Sequence, residues 1–252
     1  MSSERTYERL LHLYPADYPR DEMLGVLLAN GRPRFREVPA LVLGGLRARA
    51  GGGLSLLGRW RYSARAAALI LLVVAALAPV EDLRWGTQLR TSWTVATWVC
   101  AGLAAAALVF GARLVAFVAT VAALGLSATD EISTSAVAGF TLAALLLMIP
   151  GPATPVRNPL LALLAVAASL SLNVPEAAEL ALVLAVLLWT VVDERILLAC
   201  GLAFCVNLFE GATMLTFRSG TDASPISFAL WLGVPAALIA IGGGLAWRRS
   251  KI

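Results

Sequence analysis

Ala66-Ala67-Ala68-Leu69-Ile70-Leu71-Leu72-Val73-Val74-Ala75-Ala76-Leu77-Ala78 carries no charge and no side-chain hydrogen-bonding group. Seven further apolar runs follow it, and together they decide the fold class. No soluble core absorbs runs of this length, and lipid is their natural solvent. The composition agrees: 59% of the 252 residues are hydrophobic, 14% are charged, and the mean hydropathy is +0.80. A soluble domain would be about a quarter charged. The reading is an all-α, polytopic helical membrane protein. About eight spans are expected, near 64–80, 92–111, 113–129, 133–149, 158–173, 176–192, 195–216 and 226–247. Several approach the lower limit of roughly 17 residues for a ~30 Å hydrocarbon core.

The connections orient these spans. Arg113, Arg157 and Arg195 stand in the second, fourth and sixth loops, and the tail ends Arg248-Arg249-Ser250-Lys251. The third and fifth loops hold only acids, Asp130 with Glu131 and Glu176 with Glu179. With the N-terminus inside, every inner loop contains an arginine and the tail returns inside. Trp60, Tyr62, Trp189 and Trp247 then fall at the inner interface, and Trp85 and Trp93 at the outer one, as an aromatic belt.

Residues 1–62 form the other part, a small cytoplasmic helical domain before the transmembrane bundle of 63–252. The net charge is +4, and eleven of the twenty bases precede Ala66, against six acids. That excess suits a cytoplasmic face near anionic lipid. No stacking aromatics or nucleic-acid motif accompany it, so no specific nucleic-acid partner is expected. Arg5 to Tyr14 reads as a first helix, with Tyr7, Leu10, Leu11 and Tyr14 on one face. Asp21 to Ala29 reads as a second, with Asp21 and Glu22 at its positive end. Glu37 to Arg49 reads as a third despite Pro39 and Gly44-Gly45, either lying in the membrane interface or packed in a three-helix bundle. A domain this small buries little core, so it leans on the membrane, on a partner, or on both. The first long apolar run starts too far in for a cleavable signal peptide. Nineteen arginines against the single Lys251, with abundant alanine, suggest a GC-rich bacterial genome.

The search for chemistry returns little. Cys100, Cys200 and Cys205 lie inside apolar runs and read as buried free thiols. His12 is the one histidine. No metal-ligand spacing, Walker loop, Ser/His pair or pair of intramembrane aspartates is present, so no enzyme, cofactor or metal is expected. Asp193-Glu194-Arg195 reads as a solvated inner turn, and Gly242-Gly243-Gly244 as a place of close helix packing. Glu210 is the one carboxylate well inside an apolar span, where ionisable groups are costly and often functional. Either it faces a shallow outer cavity with Glu131, Glu176 and Glu179, as a ligand site, or it is wet at the outer rim or paired with Arg218.

The stretch Tyr7-Glu8-Arg9-Leu10-Leu11-His12-Leu13-Tyr14-Pro15-Ala16-Asp17-Tyr18-Pro19-Arg20-Asp21-Glu22-Met23-Leu24 resembles the short helical domain called HAAS, or permease-prefix domain. The matching features are Leu13-Tyr14-Pro15, then an aromatic, Arg20, and Glu22-Met23-Leu24. Pro19 stands where a basic residue is commoner. That domain precedes multi-span segments in bacterial membrane proteins, often encoded beside PadR-type repressors. The resemblance covers about a fifth of the chain and implies a regulator of the bacterial inner membrane. Its cytoplasmic domain would bind a transcription regulator, a PadR-type protein or a sigma factor, through Tyr7, Leu11, Tyr14, Arg20 and Met23. A zinc-free anti-sigma factor is a related form of this expectation. The competing one is a small-molecule transporter or the membrane subunit of an exporter.

Overall fold

The computed structural model describes residues 3–14, 18–29, 37–49, 55–84, 91–129, 134–152, 156, 188–189, 193–208 and 225–249. The described residues are all-helical, with no strand among them. Three short helices come first: α1 (Ser3–Leu11), α2 (Arg20–Ala29) and α3 (Glu37–Arg49). Both α2 and α3 pack on α1. Close packing of α3 rests on Gly44 and Gly45. A methyl group on Gly45 would lie 2.8 Å from Leu13 Cβ, and one on Gly44 would collide with the Tyr14 hydroxyl. The glycine pair that looks like a weakness in a helix is what admits Leu13 and Tyr14. Of the two placements open to this helix in sequence, the structure shows it packed in the three-helix unit.

Long helices follow. They are α4 (Leu56–Arg84), α5 (Thr91–Phe110), α6 (Arg113–Thr129), α7 (Thr134–Met148), α8 (Glu194–Phe204) and α9 (Pro225–Arg249). The expected spans at 92–111, 113–129, 133–149 and 226–247 meet helices within two residues. The first is longer than 64–80 at both ends. Its 29 residues reach about 43 Å at ~1.5 Å each. The expected spans at 158–173 and 176–192, and the one at 195–216 beyond Leu208, lie outside the described residues or nearly so. By length and composition, Leu56–Ala78 and Trp93–Phe110 suffice to cross a membrane, while Arg113–Thr129, Thr134–Met148 and Leu232–Arg248 are apolar but shorter.

Helix α4 is central, touching α5, α7, α8 and α9. Its apolar residues from Leu69 to Ala78 meet Phe140, Ala143 and Leu147 of α7 and Ile196 and Ala199 of α8 in one core. Small residues set the spacing. A methyl on Gly139 would stand 2.9 Å from Ala75 Cβ, and one on Gly242 only 2.9 Å from the Leu198 nitrogen. Gly243 faces Trp60, while Gly244 has open space beside it. The expectation of close packing thus holds for the first two glycines of the three.

The packing of α5 and α6 reverses the order of a soluble helix. In α6 the buried stripe is Ala116, Thr120, Ala123 and Ser127. Leu114, Val115, Val118 and Val121 point outward. Thr120 and Ser127 donate to carbonyls four residues earlier, at 2.7 and 2.8 Å, which satisfies both hydroxyls. Helix α5 hides Thr94, Thr97, Ala101 and Ala104 and exposes Trp93, Val99, Leu103 and Phe110. Gly111 ends it with φ 81°, Gly111 N–H bonding the Leu108 carbonyl and Ala112 N–H the Ala107 carbonyl. That is the Schellman arrangement, and glycine tolerates its left-handed backbone.

Candidate functional site

Among the described residues, the densest chemistry lies where the first turns of α4 meet the N-terminus of α8. Ser55 starts α4, its hydroxyl accepting from the Gly58 N–H at 3.2 Å. From there Arg59, Tyr62 and Ser63 fall at i, i+3, i+4 on one face. Asp193 caps α8, its carboxylate accepting from the Arg195 N–H at 3.1 Å. Two acids at a helix N-terminus suit its positive end.

These two faces lock together. Arg59 forms an ion pair with Glu194, both side chains at most 5% exposed. Arg195 grips Asp193 with two hydrogen bonds of 2.7 Å each. The same guanidinium lies 4.1 Å from the centre of the Tyr62 ring. The Ser63 hydroxyl donates to the Arg195 carbonyl at 3.0 Å. Asp193, Glu194 and Arg195 are therefore buried, which corrects their reading as a solvated turn. The physical reason is the extra length of α4. Starting at Leu56, it carries Arg59 and Tyr62 down to the level of α8's first turn. Two cations then neutralise two anions, and charges that are paired and hydrogen-bonded tolerate burial. A sequence signal exists: an acidic cap ahead of an apolar run, and an arginine, a tyrosine and a serine on one face of the first long helix. The cluster acts as a clamp. It holds the entry of the first long helix to the bundle.

The other expected site residues divide sharply. Glu131, Glu176, Glu179 and Glu210, the proposed outer ligand site, lie outside the described residues. Tyr7, Leu11 and Tyr14 are buried within the N-terminal unit, at 0%, 3% and 7% exposure. Arg20 donates to the Tyr14 carbonyl and so ties α2 to the end of α1. Tyr14 and Tyr18 stack tilted, with ring centres 5.5 Å apart. Burial, and then Tyr18, push the Tyr14 phenol above its ordinary value. Met23 is half-buried, and α2 buries none of its residues. Val26, Leu28 and Tyr18 are exposed. Among the described residues no group of histidine, cysteine and acidic side chains could hold a metal ion.

Compared with protein-family models, with curated proteins and with solved structures, the chain finds no match.

Proposed function

We propose that this chain is a membrane-integral regulatory protein whose N-terminal helical unit binds a cytoplasmic transcription regulator, of PadR type or a sigma factor. The observation that carries the reading is helix α2. Of its five large apolar side chains Val26 and Leu28 are exposed, Met23, Leu24 and Leu27 are half-buried, and none is fully buried. The unit closes its own core with Tyr7, Leu11 and Tyr14, so this apolar surface is left for a partner, and helix-in-groove docking suits it. The partner surface thus moves from the buried tyrosines to α2, with Met23 at its edge. The eight-span bundle with both ends inside is the second half of the proposal. Outward Leu and Val over buried Ala, Thr and Ser on α5 and α6 support it, since lipid-facing helices pack through small and hydroxyl residues. The loop charges support the orientation.

The test is affinity capture with the full chain in mild detergent, beside a Val26→Asp, Leu28→Asp double variant. A transcription regulator recovered by the wild type and lost in the variant supports the reading. Recovery of an ATPase in its place favours the exporter subunit.

A further inference from the structure

Three arginines converge beside the clamp without belonging to it. Arg61 and Arg65 are one turn apart on α4, and Arg113 opens α6. All three meet the turn at 149–151. Arg65 donates to the Gly151 carbonyl at 3.3 Å, and Arg113 to the Ile149 carbonyl at 3.1 Å. Arg61 lies along Gly151, where a methyl group would stand 2.7 Å from its Cδ. The Nε of Arg61 is shut off from solvent and has no hydrogen-bond partner. Among the described residues neither Arg61 nor Arg113 forms an ion pair.

A cavity of about 390 Å³ opens beside Arg113 and Gly151, the glycine that Arg61 and Arg65 also meet, and is lined further by Gly111, Ala112, Leu114 and Val115. Its wall includes the first turn of α6, where backbone N–H groups lack intrahelical acceptors. Three like charges, an orphaned buried guanidinium N–H and a helix N-terminus together favour an anion. Arginine matches phosphate geometry, its N–H fork meeting two oxygens at once. We infer that Arg61, Arg65 and Arg113, with the start of α6, form a phosphate site, occupied by the headgroup of an anionic phospholipid. The lipid as source rests on the membrane reading; the affinity for phosphate does not.

The experiment uses the full chain purified in neutral detergent. Short-chain phosphatidylglycerol, phosphatidylcholine and inorganic phosphate are titrated separately, and bound ligand is read by native mass spectrometry. Phosphatidylglycerol should bind about tenfold more tightly than phosphatidylcholine, and Arg61→Gln or Arg113→Gln should each weaken it about tenfold. Arg9→Gln, on the exposed side of α1, should change nothing. Saturable inorganic phosphate binding that falls in the same two variants keeps the site and makes free phosphate its occupant. Unchanged phosphatidylglycerol binding in both glutamine variants overturns the inference. If the variants aggregate, the wild type decides: equal binding of the two lipids, with no phosphate bound, overturns it as well.

Discussion

Arg59 and Glu194 face each other with almost no access to water. Removing one member of such a pair leaves a buried charge poorly compensated, whereas replacing both with apolar groups is often neutral. Glu194→Leu should therefore destabilise the protein by about 3 kcal/mol, and adding Arg59→Met should restore most of that loss. Chemical unfolding in detergent micelles, followed by tryptophan fluorescence, measures both. Arg195→Lys keeps the charge but gives up the two-pronged grip on Asp193, and should cost about 1–2 kcal/mol in the same assay. Tyr14 supplies the pH dependence. Its folded-state pKa lies above the ordinary 10.0, so the neutral form is favoured in the fold. The stability this contributes is complete below pH about 10 and is lost as the pH rises through the raised value. Tyrosinate absorbance during alkaline titration should show a late-ionising phase, and Tyr14→Phe should take one phenol out of it.

Helices meet here at glycines, and the three in a row on α9 make a controlled comparison. Gly242→Val puts a branched side chain against the Leu198 backbone, where even a methyl group stands at 2.9 Å. Gly244→Ala meets open space. The first should lower the melting temperature sharply and the second should leave it unchanged or raise it, as read by thermal unfolding of each purified variant. The same glycines show what sequence can and cannot reveal. Helix positions were legible, because caps and apolar runs are local: α3 occupies Glu37–Arg49 as the pattern predicts, and α6 fills 113–129. Which of Gly242, Gly243 and Gly244 touches a neighbour was not, since that depends on how α9 crosses α8 and α4. Asp193-Glu194-Arg195 was misread for a similar reason. Three adjacent charges look wet until a partner more than a hundred residues away supplies Arg59, Tyr62 and Ser63. Tyr7 and Leu11, expected at a partner surface, are buried in the unit's own core, and periodicity alone does not distinguish such a core from a surface left for a partner.

At the scale of the whole molecule, several polar contacts between the described helices and loops gather at one end of the bundle. Arg59 meets Glu194, Ser63 meets Arg195, Arg65 meets Gly151, Arg113 meets Ile149, and the Val156 N–H bonds the Leu108 carbonyl. These are the start of α4 and the loops that loop charge assigns to the inner side. The proposed topology places them together, and one prediction follows from it. Reporter fusions at Gly86 and Gly220 should read as outer, and a fusion at the C-terminus as inner. An exported C-terminus refutes the eight-span arrangement. The order of synthesis gives the clamp a further meaning. Its two halves are 135 residues apart in the chain. A ribosome delivers Arg59 first, and its carboxylate arrives only after α5, α6 and α7 have been made. During that interval the nascent chain must keep a cation waiting at the entry of its first long helix. The clamp is thus among the last joints to close, and a chain cut short before Glu194 leaves it open, an unfinished product distinguishable from a finished one.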